Sequence, residues 1–349
     1  MKRNLLLAVF VFTVTFQMAC GPVSQSPSEV AGSVNGCNVA PFTDTTLPRL
    51  PKPVGFELTF DSPFYRGGAI HRARDVIALK SHDAILHAKF AYKFLDKDMK
   101  GVPVDVYLSQ GCRSTFKKIG TVVTSRDDEN GTVENVRDSG GRIFAKLSSF
   151  GVKNLPVGRH RLLYVVPADN SFTESFIDVV DAQTKYVVSD IDGTLTSSEM
   201  AAAVHLLNLS PSAHPGAAQA LGALAKNGYK IFYLTARPEW LMPATRQWLS
   251  DKNFPAGTIH TTDSKVGAQG EAAKNYKINE ISLFTDQTGI VPSYAFGNKP
   301  SDVEAFGKSG IPAFNSYYYK LGSDAQGGVI HSDYTKLIAS FNKSVNVSH

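Results

Sequence analysis

Through the first half of the chain, apolar and polar positions alternate with period two. Val102, Val104, Val106 and Leu108 interleave with Pro103, Asp105 and Tyr107, and Leu86, Ala88, Phe90 and Tyr92 follow the same rule. That alternation predicts half-buried strands. Phe56 to Phe60, Lys117 to Thr124, Arg142 to Leu147, Arg161 to Val166 and Phe172 to Val180 predict more. Turn chemistry separates them at Asp128-Glu129-Asn130-Gly131, Ser139-Gly140-Gly141, Pro156-Val157-Gly158 and Pro167-Ala168-Asp169-Asn170. About seven short strands at this spacing predict an all-β, immunoglobulin-like sandwich over residues 54–181. It holds no paired carboxylates, His cluster or nucleophile motif. Its expected work is support, spacing or substrate presentation, with lipid or partner binding on its loops as the alternative.

After residue 181 the pattern changes. Lys185 to Ser189 is a short apolar run, and strand and helix signals then alternate. Helices are predicted over Pro215 to Asn227, with Ala217, Leu221 and Leu224 on one face, over Pro238 to Leu249, and over Pro300 to Lys308. Strands are predicted over Lys230 to Thr235, Ile281 to Phe284 and Ser293 to Phe296. The alternation predicts a doubly wound parallel α/β sheet over residues 182–349. About 39 residues separate Thr196 from Thr235, and about 39 more lead to Lys274, which leaves room for crossovers but not for a large inserted cap.

The N-terminus reads as an address. Met1-Lys2-Arg3 precedes an apolar stretch from Leu5 to Phe16, and Gln17-Met18-Ala19-Cys20-Gly21 follows. A basic head, an apolar run and small residues at the cut form a secretory signal over residues 1–19. With Cys20 just after the cut, the segment resembles the bacterial lipoprotein signal, which implies lipidation of Cys20. Acylation on more than one chain gives stable anchoring. Gly21 lacks the Asp retention signal, which favours the outer membrane facing the periplasm; an unused signal would leave a secreted protein. Residues 20–53 are rich in Gly, Pro, Ser, Thr and Asn and read as a tether. Cys37 and Cys112 then form an even pair, either a disulfide in an oxidising compartment or two free thiols.

Composition changes this picture little. The 349 residues are 43% hydrophobic and 19% charged, which excludes wholesale disorder, collagen and coiled coil. The net charge of +5 drops to about +3 once Lys2 and Arg3 are removed, too weak to argue for nucleic acid. Beyond the N-terminus no apolar run is long enough to cross a bilayer.

The chemistry concentrates where the Lys185–Ser189 run ends, at Asp190-Ile191-Asp192-Gly193-Thr194. Two carboxylates two apart on a continuing strand would face opposite ways, but at a bend both reach one site. One carboxylate can attack while the other holds a proton. Crowded carboxylates demand a cation, and Mg²⁺ suits oxygen ligands. Thr235, at a second strand end, can donate to an anion. Asn298 and Asp302, at a third, can complete an oxygen shell. With a lysine as point charge, these parts suit phosphoryl transfer.

Asp190-Ile191-Asp192-Gly193-Thr194, Thr235 within Tyr233-Leu234-Thr235-Ala236-Arg237, and Gly297-Asn298-Lys299-Pro300-Ser301-Asp302 resemble the motifs of the haloacid dehalogenase-like phosphatases. Residues 185–315 are similar in particular to the catalytic domain of lipins, the Mg²⁺-dependent phosphatidate phosphatases. The resemblance implies Asp190 as nucleophile and Asp192 as general acid and base. It implies phosphate binding by Thr235, Gly193 and a lysine, with Lys274 preferred over Lys277 and Lys265. It implies Mg²⁺ held by Asp190, Asp192, Asp302 and Asn298, and makes Arg237, Arg246, His214 and Lys299 candidate substrate contacts. The activity it implies is hydrolysis of phosphatidate to diacylglycerol and phosphate at a membrane surface. The alternatives are a periplasmic phosphatase of soluble esters and a phosphatidate-binding module without turnover. A related domain in phosphatidylinositol transfer proteins is held to act in that last way, with its nucleophile position changed, whereas this chain has Asp190.

Overall fold

The computed structural model describes residues 37, 50, 52, 54, 68–92, 96–113, 115–197 and 211–347. The signal segment, Cys20, almost all of the tether and the strand expected over Phe56 to Phe60 lie outside the described residues.

The first part is a β-sandwich. In chain order its strands are β1 (Arg72–Arg74), β2 (Val76–Leu79), β3 (Ile85–Lys89), β4 (Ala91–Tyr92), β5 (Lys97–Asp98), β6 (Pro103–Ser109), β7 (Lys117–Val123), β8 (Asp127–Val133), β9 (Val136–Ser139), β10 (Arg142–Lys146), β11 (Gly158–Val165) and β12 (Phe172–Val180). A sheet in the order β1-β3-β10 faces one in the order β2-β12-β11-β6-β7, and two short ribbons complete it. The alternating side chains do what their period predicts. Leu86, Phe90, Val104, Val106, Leu162, Tyr164 and Ile177 are buried together between the sheets. Cys37 and Cys112 form a disulfide with Cα atoms 5.6 Å apart.

The second part is a parallel sheet of β13 (Tyr186–Ser189), β14 (Lys230–Pro238), β15 (Gly257–Thr262), β16 (Tyr294–Gly297), β17 (Ser316–Tyr319) and β18 (Val329–His331). The spatial order is β15-β14-β13-β16-β17-β18, with every pairing parallel. Its helices are α1 (Ala217–Lys226), α2 (Met242–Asp251), α3 (Gly270–Thr288), α4 (Pro300–Lys308) and α5 (Thr335–Phe341). Along β13 and β14, Val187, Ile231 and Tyr233 join α1 and α5 on one face, while Val188, Phe232 and Leu234 join α3 and α4 on the other. Both faces are therefore covered, which is why these strands read as apolar runs. The order of strands reverses at β13, so its C-terminal end lies at the switch point where open α/β sheets bind ligands. The fold class expected from the pattern is the one observed.

Three local expectations differ. Ile281 to Phe284 is not a strand but part of the 19-residue helix α3, and Asp286 is on that helix too. Pro238 ends β14 rather than opening a helix; the proline in the first turn of α2 is Pro243. The strand β15 is an unforeseen edge. Its residues Thr258, His260, Thr261 and Thr262 are polar yet buried, because the sandwich covers them. Asp75 accepts the Ile259 amide at 3.0 Å, Arg159 donates to the Gly257 carbonyl at 2.8 Å, and Asp178 accepts the Thr258 hydroxyl at 2.6 Å. An edge strand with satisfied backbone groups offers no template for aggregation. Ile77 and Val180 of the sandwich also share the apolar layer of α3, so sandwich and sheet are packed as one body.

Candidate functional site

Immediately after β13 the chain turns. The Asp190 amide makes a last ladder bond to the Phe296 carbonyl at 2.9 Å, and the Leu195 amide then closes back on the Ile191 carbonyl at 2.8 Å. Gly193 sits in this turn with φ of 76°, a left-handed value that favours glycine. The bend is what brings both aspartates to one place. Thr194 Oγ1 lies 3.1 Å from Asp190 Oδ2 and 3.1 Å from Asn298 Oδ1, tying the turn to the end of β16.

Lys277 of α3 reaches into this group. Its Nζ is 2.9 Å from Asp190 Oδ1 and 2.6 Å from Asp302 Oδ1, and all three side chains are buried. The Asp302 Oδ2 accepts the amides of Asn298 and Lys299 at 2.9 and 3.0 Å, so the carboxylate also caps α4. Burial pushes the Asp190 carboxyl up to about 6; Lys277 pulls the other way, and Asp302 and Asp192 add to the rise. Burial alone would lower the Lys277 ammonium, but Asp190 and Asp302 raise it above its ordinary range, so it stays charged.

Asp192 points the other way, toward β14. That strand bulges between Leu234 and Pro238 against β15, which re-aims Thr235 and Arg237 at the switch point. Thr235 Oγ1 donates to Asp192 Oδ2 at 3.0 Å. Arg237 Nε and Nη2 donate to the same carboxylate at 2.9 and 2.8 Å, a bidentate fork. Arg237 is itself steadied by Nη1 donating to Thr245 Oγ1 at 3.0 Å.

The structure thus gathers Asp190, Asp192, Thr235, Arg237, Asn298 and Asp302. The other expected residues are placed differently. Lys274 pairs with Glu271 and Glu304, at 2.6 and 2.9 Å; the lysine at the aspartates is Lys277, three residues on and one turn further along α3. Lys265 lies 3.7 Å from Asp96. Arg246 is no surface contact: it forks onto buried Asp75 of the sandwich at 2.7 and 3.1 Å and lies over the Phe176 ring. His214 supports the turn from outside, with Nε2 3.2 Å from the Gly193 carbonyl and its ring stacked on Tyr319. The Gly193 amide donates to Thr196 Oγ1 at 3.0 Å. Lys299 is an exposed residue preceding α4. Trp240 is half-buried, with Leu241 and Met242 in the core. Sequence reasoning passed over Thr194 and Tyr334, whose hydroxyl donates to the Thr194 carbonyl at 2.8 Å. The first had a signal, a hydroxyl inside the acidic motif; the second had none.

Among the described residues no three His, Cys, Asp or Glu side chains form a metal cage. The donor chemistry nevertheless fits Mg²⁺. Asp190 just after β13 and Asp302 in the first turn of α4 supply two carboxylates, and the Asp192 carbonyl and Asn298 side chain supply hard neutral oxygens. Mg²⁺ binds through one or two carboxylates and keeps several waters.

Comparison with known proteins places both halves. Residues 187–320 match the family model described as PITM 1-3, LNS2 domain, and residues 69–179 match PITM 1-3, beta-sandwich domain. Each match is a likeness of one part of the chain, the α/β part to the first and the sandwich to the second. It is 28% identical over 250 residues to membrane-associated phosphatidylinositol transfer protein 1 of Rattus norvegicus, covering 71% of this chain and 18% of that protein. It is 30% identical over 255 residues to protein retinal degeneration B of Drosophila melanogaster, covering 69% of this chain. In both cases it spans 18% of the relative's length. Among solved structures, it is similar to the D,D-heptose 1,7-bisphosphate phosphatase of B. bronchiseptica complexed with magnesium and phosphate, with a TM-score of 0.34 and 13% identity over 46% of this chain and 97% of that one. A cobalt-bound deoxy-D-mannose-octulosonate 8-phosphate phosphatase of Haemophilus influenzae gives 0.31 and 17%, over 46% of this chain and 90% of that one.

Proposed function

We propose that the chain is a Mg²⁺-dependent phosphomonoesterase that hydrolyses phosphatidate to diacylglycerol and phosphate, held at a bacterial cell envelope through a lipidated Cys20. The observation that carries the catalytic part is the placement of Asp190, Asp192 and Asp302 around one switch point with Lys277 bonded between two of them. A carboxylate of Asp190 attacks phosphorus, and the bond from phosphorus to the glycerol oxygen breaks. Asp192 gives its proton to the departing alkoxide. It then takes a proton from the water that attacks the aspartyl-phosphate, and phosphate leaves with Asp190 restored. Thr235, Arg237 and Lys277 are the donors near the phosphoryl oxygens. Arg237 and Thr235 must exchange Asp192 for those oxygens before Asp192 can serve the leaving group. Asp190, Asp302, the Asp192 carbonyl and Asn298 would hold Mg²⁺, which when bound neutralises developing charge on the phosphoryl group. The names of the phosphatidylinositol transfer proteins among the relatives support a lipid phosphate over a sugar or nucleotide.

The same names favour a second reading, phospholipid binding without turnover, and the fork of Arg237 on Asp192 is compatible with it. Phosphate release separates the two. The protein is assayed with Mg²⁺ or chelator on phosphatidate in mixed micelles, lysophosphatidate, nucleotides and sugar phosphates, beside Asp190→Asn. Mg²⁺-dependent release that favours phosphatidate and is lost in Asp190→Asn supports the proposal. Release from soluble esters alone removes the lipid from it. Vesicle binding with no release leaves the binding module.

A further inference from the structure

Four consecutive residues of the sandwich, Arg72-Ala73-Arg74-Asp75, send three charged side chains into the α/β part. Arg72 Nη2 donates to Glu239 Oε1 at 2.9 Å, and Arg142 donates to both oxygens of the same carboxylate at 3.0 and 2.8 Å. Arg74 Nη2 lies 2.5 Å from Glu280 Oε2. Asp75 takes the fork of Arg246 and the Ile259 amide. All of these groups are buried or nearly so.

The two glutamates are covalently close to the two cations of the site. Glu239 follows Arg237, which holds Asp192, by two residues. Glu280 follows Lys277, which holds Asp190 and Asp302, by three residues on the same helix, just under one turn. A rotation or slide of α3 that freed Glu280 would carry Lys277 with it. Buried ion pairs contribute little net stability over apolar replacements of the same shape. What a guanidinium fork does supply is one accepted orientation of the carboxylate, where an apolar contact could slide.

We infer that the Arg72–Asp75 segment is a positioning element: the sandwich fixes α3 and the turn after β14, and thereby sets Lys277 and Arg237 against the three aspartates. Its effect on turnover rests on the proposed phosphatase reading; its effect on Lys277 does not. The sandwich is then a working part of the site rather than a spacer.

The test uses the full chain and two variants. Arg74→Lys keeps the charge but replaces the planar guanidinium, whose Nη2 meets Glu280, by a mobile ammonium. Arg74→Met combined with Glu280→Gln removes the ion pair and retains an amide for His260, so it stays folded even where a lone lysine does not. Three quantities are read: thermal melting, kcat and KM on phosphatidate in mixed micelles and on p-nitrophenyl phosphate, and labelling of Lys277 by acetic anhydride relative to Lys308. Positioning predicts melting close to wild type, a fall in kcat of about tenfold or more with KM little changed, and increased labelling of Lys277. A folded double variant with unchanged kcat and unchanged Lys277 labelling overturns the inference. If the wild type hydrolyses no ester, the phosphatase reading falls and the labelling alone decides the positioning.

Discussion

At the scale of single residues, the lysine is where the chemistry is sharpest. Lys277 is bonded to two buried carboxylates, and removing it leaves both uncompensated. Lys277→Met should therefore cost on the order of 3–5 kcal/mol of stability and abolish turnover, measured by denaturant unfolding and phosphate release. Lys274→Met removes only a partner of Glu271 and Glu304, which are 72% and 45% exposed, and should change neither quantity. If Lys274→Met is the inactive variant, the geometry at Asp190 has been misread. Asp190→Asn runs in a different direction. It removes the nucleophile but also a carboxyl that burial has already pushed up to about 6, so activity is lost while melting holds or rises. Asp190, Asp192, Thr235 and Asp302 were legible because each sits in a short local motif at or just beyond the end of a strand. The sequence offers Lys277 only behind Lys274, since a lysine in mid-helix has no local signature that ranks one above the other. Arg246 is only a candidate substrate contact in the sequence because its partner, Asp75, is 171 residues away.

At the scale of elements, the two misread segments share a cause. The buried stripe of α3 includes Lys274, Lys277 and Glu280 beside Ile281 and Phe284. Charged groups kept inside for chemistry and for the interface erase the amphipathic period, and the residual Ile281–Phe284 run then looks like a strand. The edge strand β15 is hidden for the same reason, since its buried residues are threonines and a histidine satisfied by sandwich side chains. The strands of the sandwich and β13, β14 and β16 were legible because apolar side chains fill their buried faces. The junction of β16 and α4 makes its own prediction. A Cβ added at Gly297 would lie 2.5 Å from Asp302 Cβ, with the Asp302 carboxyl only slightly further off. Both are held by backbone, so the clash cannot be relieved by a rotamer change alone. Gly297→Ala should displace Asp302 from Lys277 and from the amides it caps, lowering kcat by about a hundredfold. Ser301→Ala, on the first turn of the same helix, is the control and should leave kcat unaltered.

At the scale of the whole molecule, burial of titratable groups in the sandwich and along its contact with the sheet fixes how the fold responds to acid. His71 is packed against Phe90; its Nδ1 accepts the Ala91 amide at 3.3 Å and its Nε2 meets Ser171 Oγ at 2.8 Å. The ring is therefore neutral, and burial holds its pKa down to about 4 from the ordinary 6.5. Burial lowers His87 as well. A group whose folded value is depressed takes up its proton on unfolding. Its contribution to stability is complete above the unfolded value and disappears as pH falls toward the folded one. For His71 the window runs from 6.5 down to about 4, and the full effect is on the order of 3 kcal/mol. Glu280 opens a second, lower window. Burial would raise it, but Arg74 and His260 hold it down to about 2 from the ordinary 4.5, so its contribution is lost between those values. Both effects have the same sign: the fold should be steady near neutral pH and weaken progressively on acidification. His71→Gln isolates the upper window, because glutamine can accept the Ala91 amide and donate to Ser171 without titrating. Urea unfolding at about pH 7 and about pH 4.5 should show a large drop in wild type and a much smaller one in His71→Gln. Equal drops in the two proteins would place the acid sensitivity elsewhere, with the ion pairs that Arg72, Arg74 and Asp75 make across the contact as the next groups to substitute.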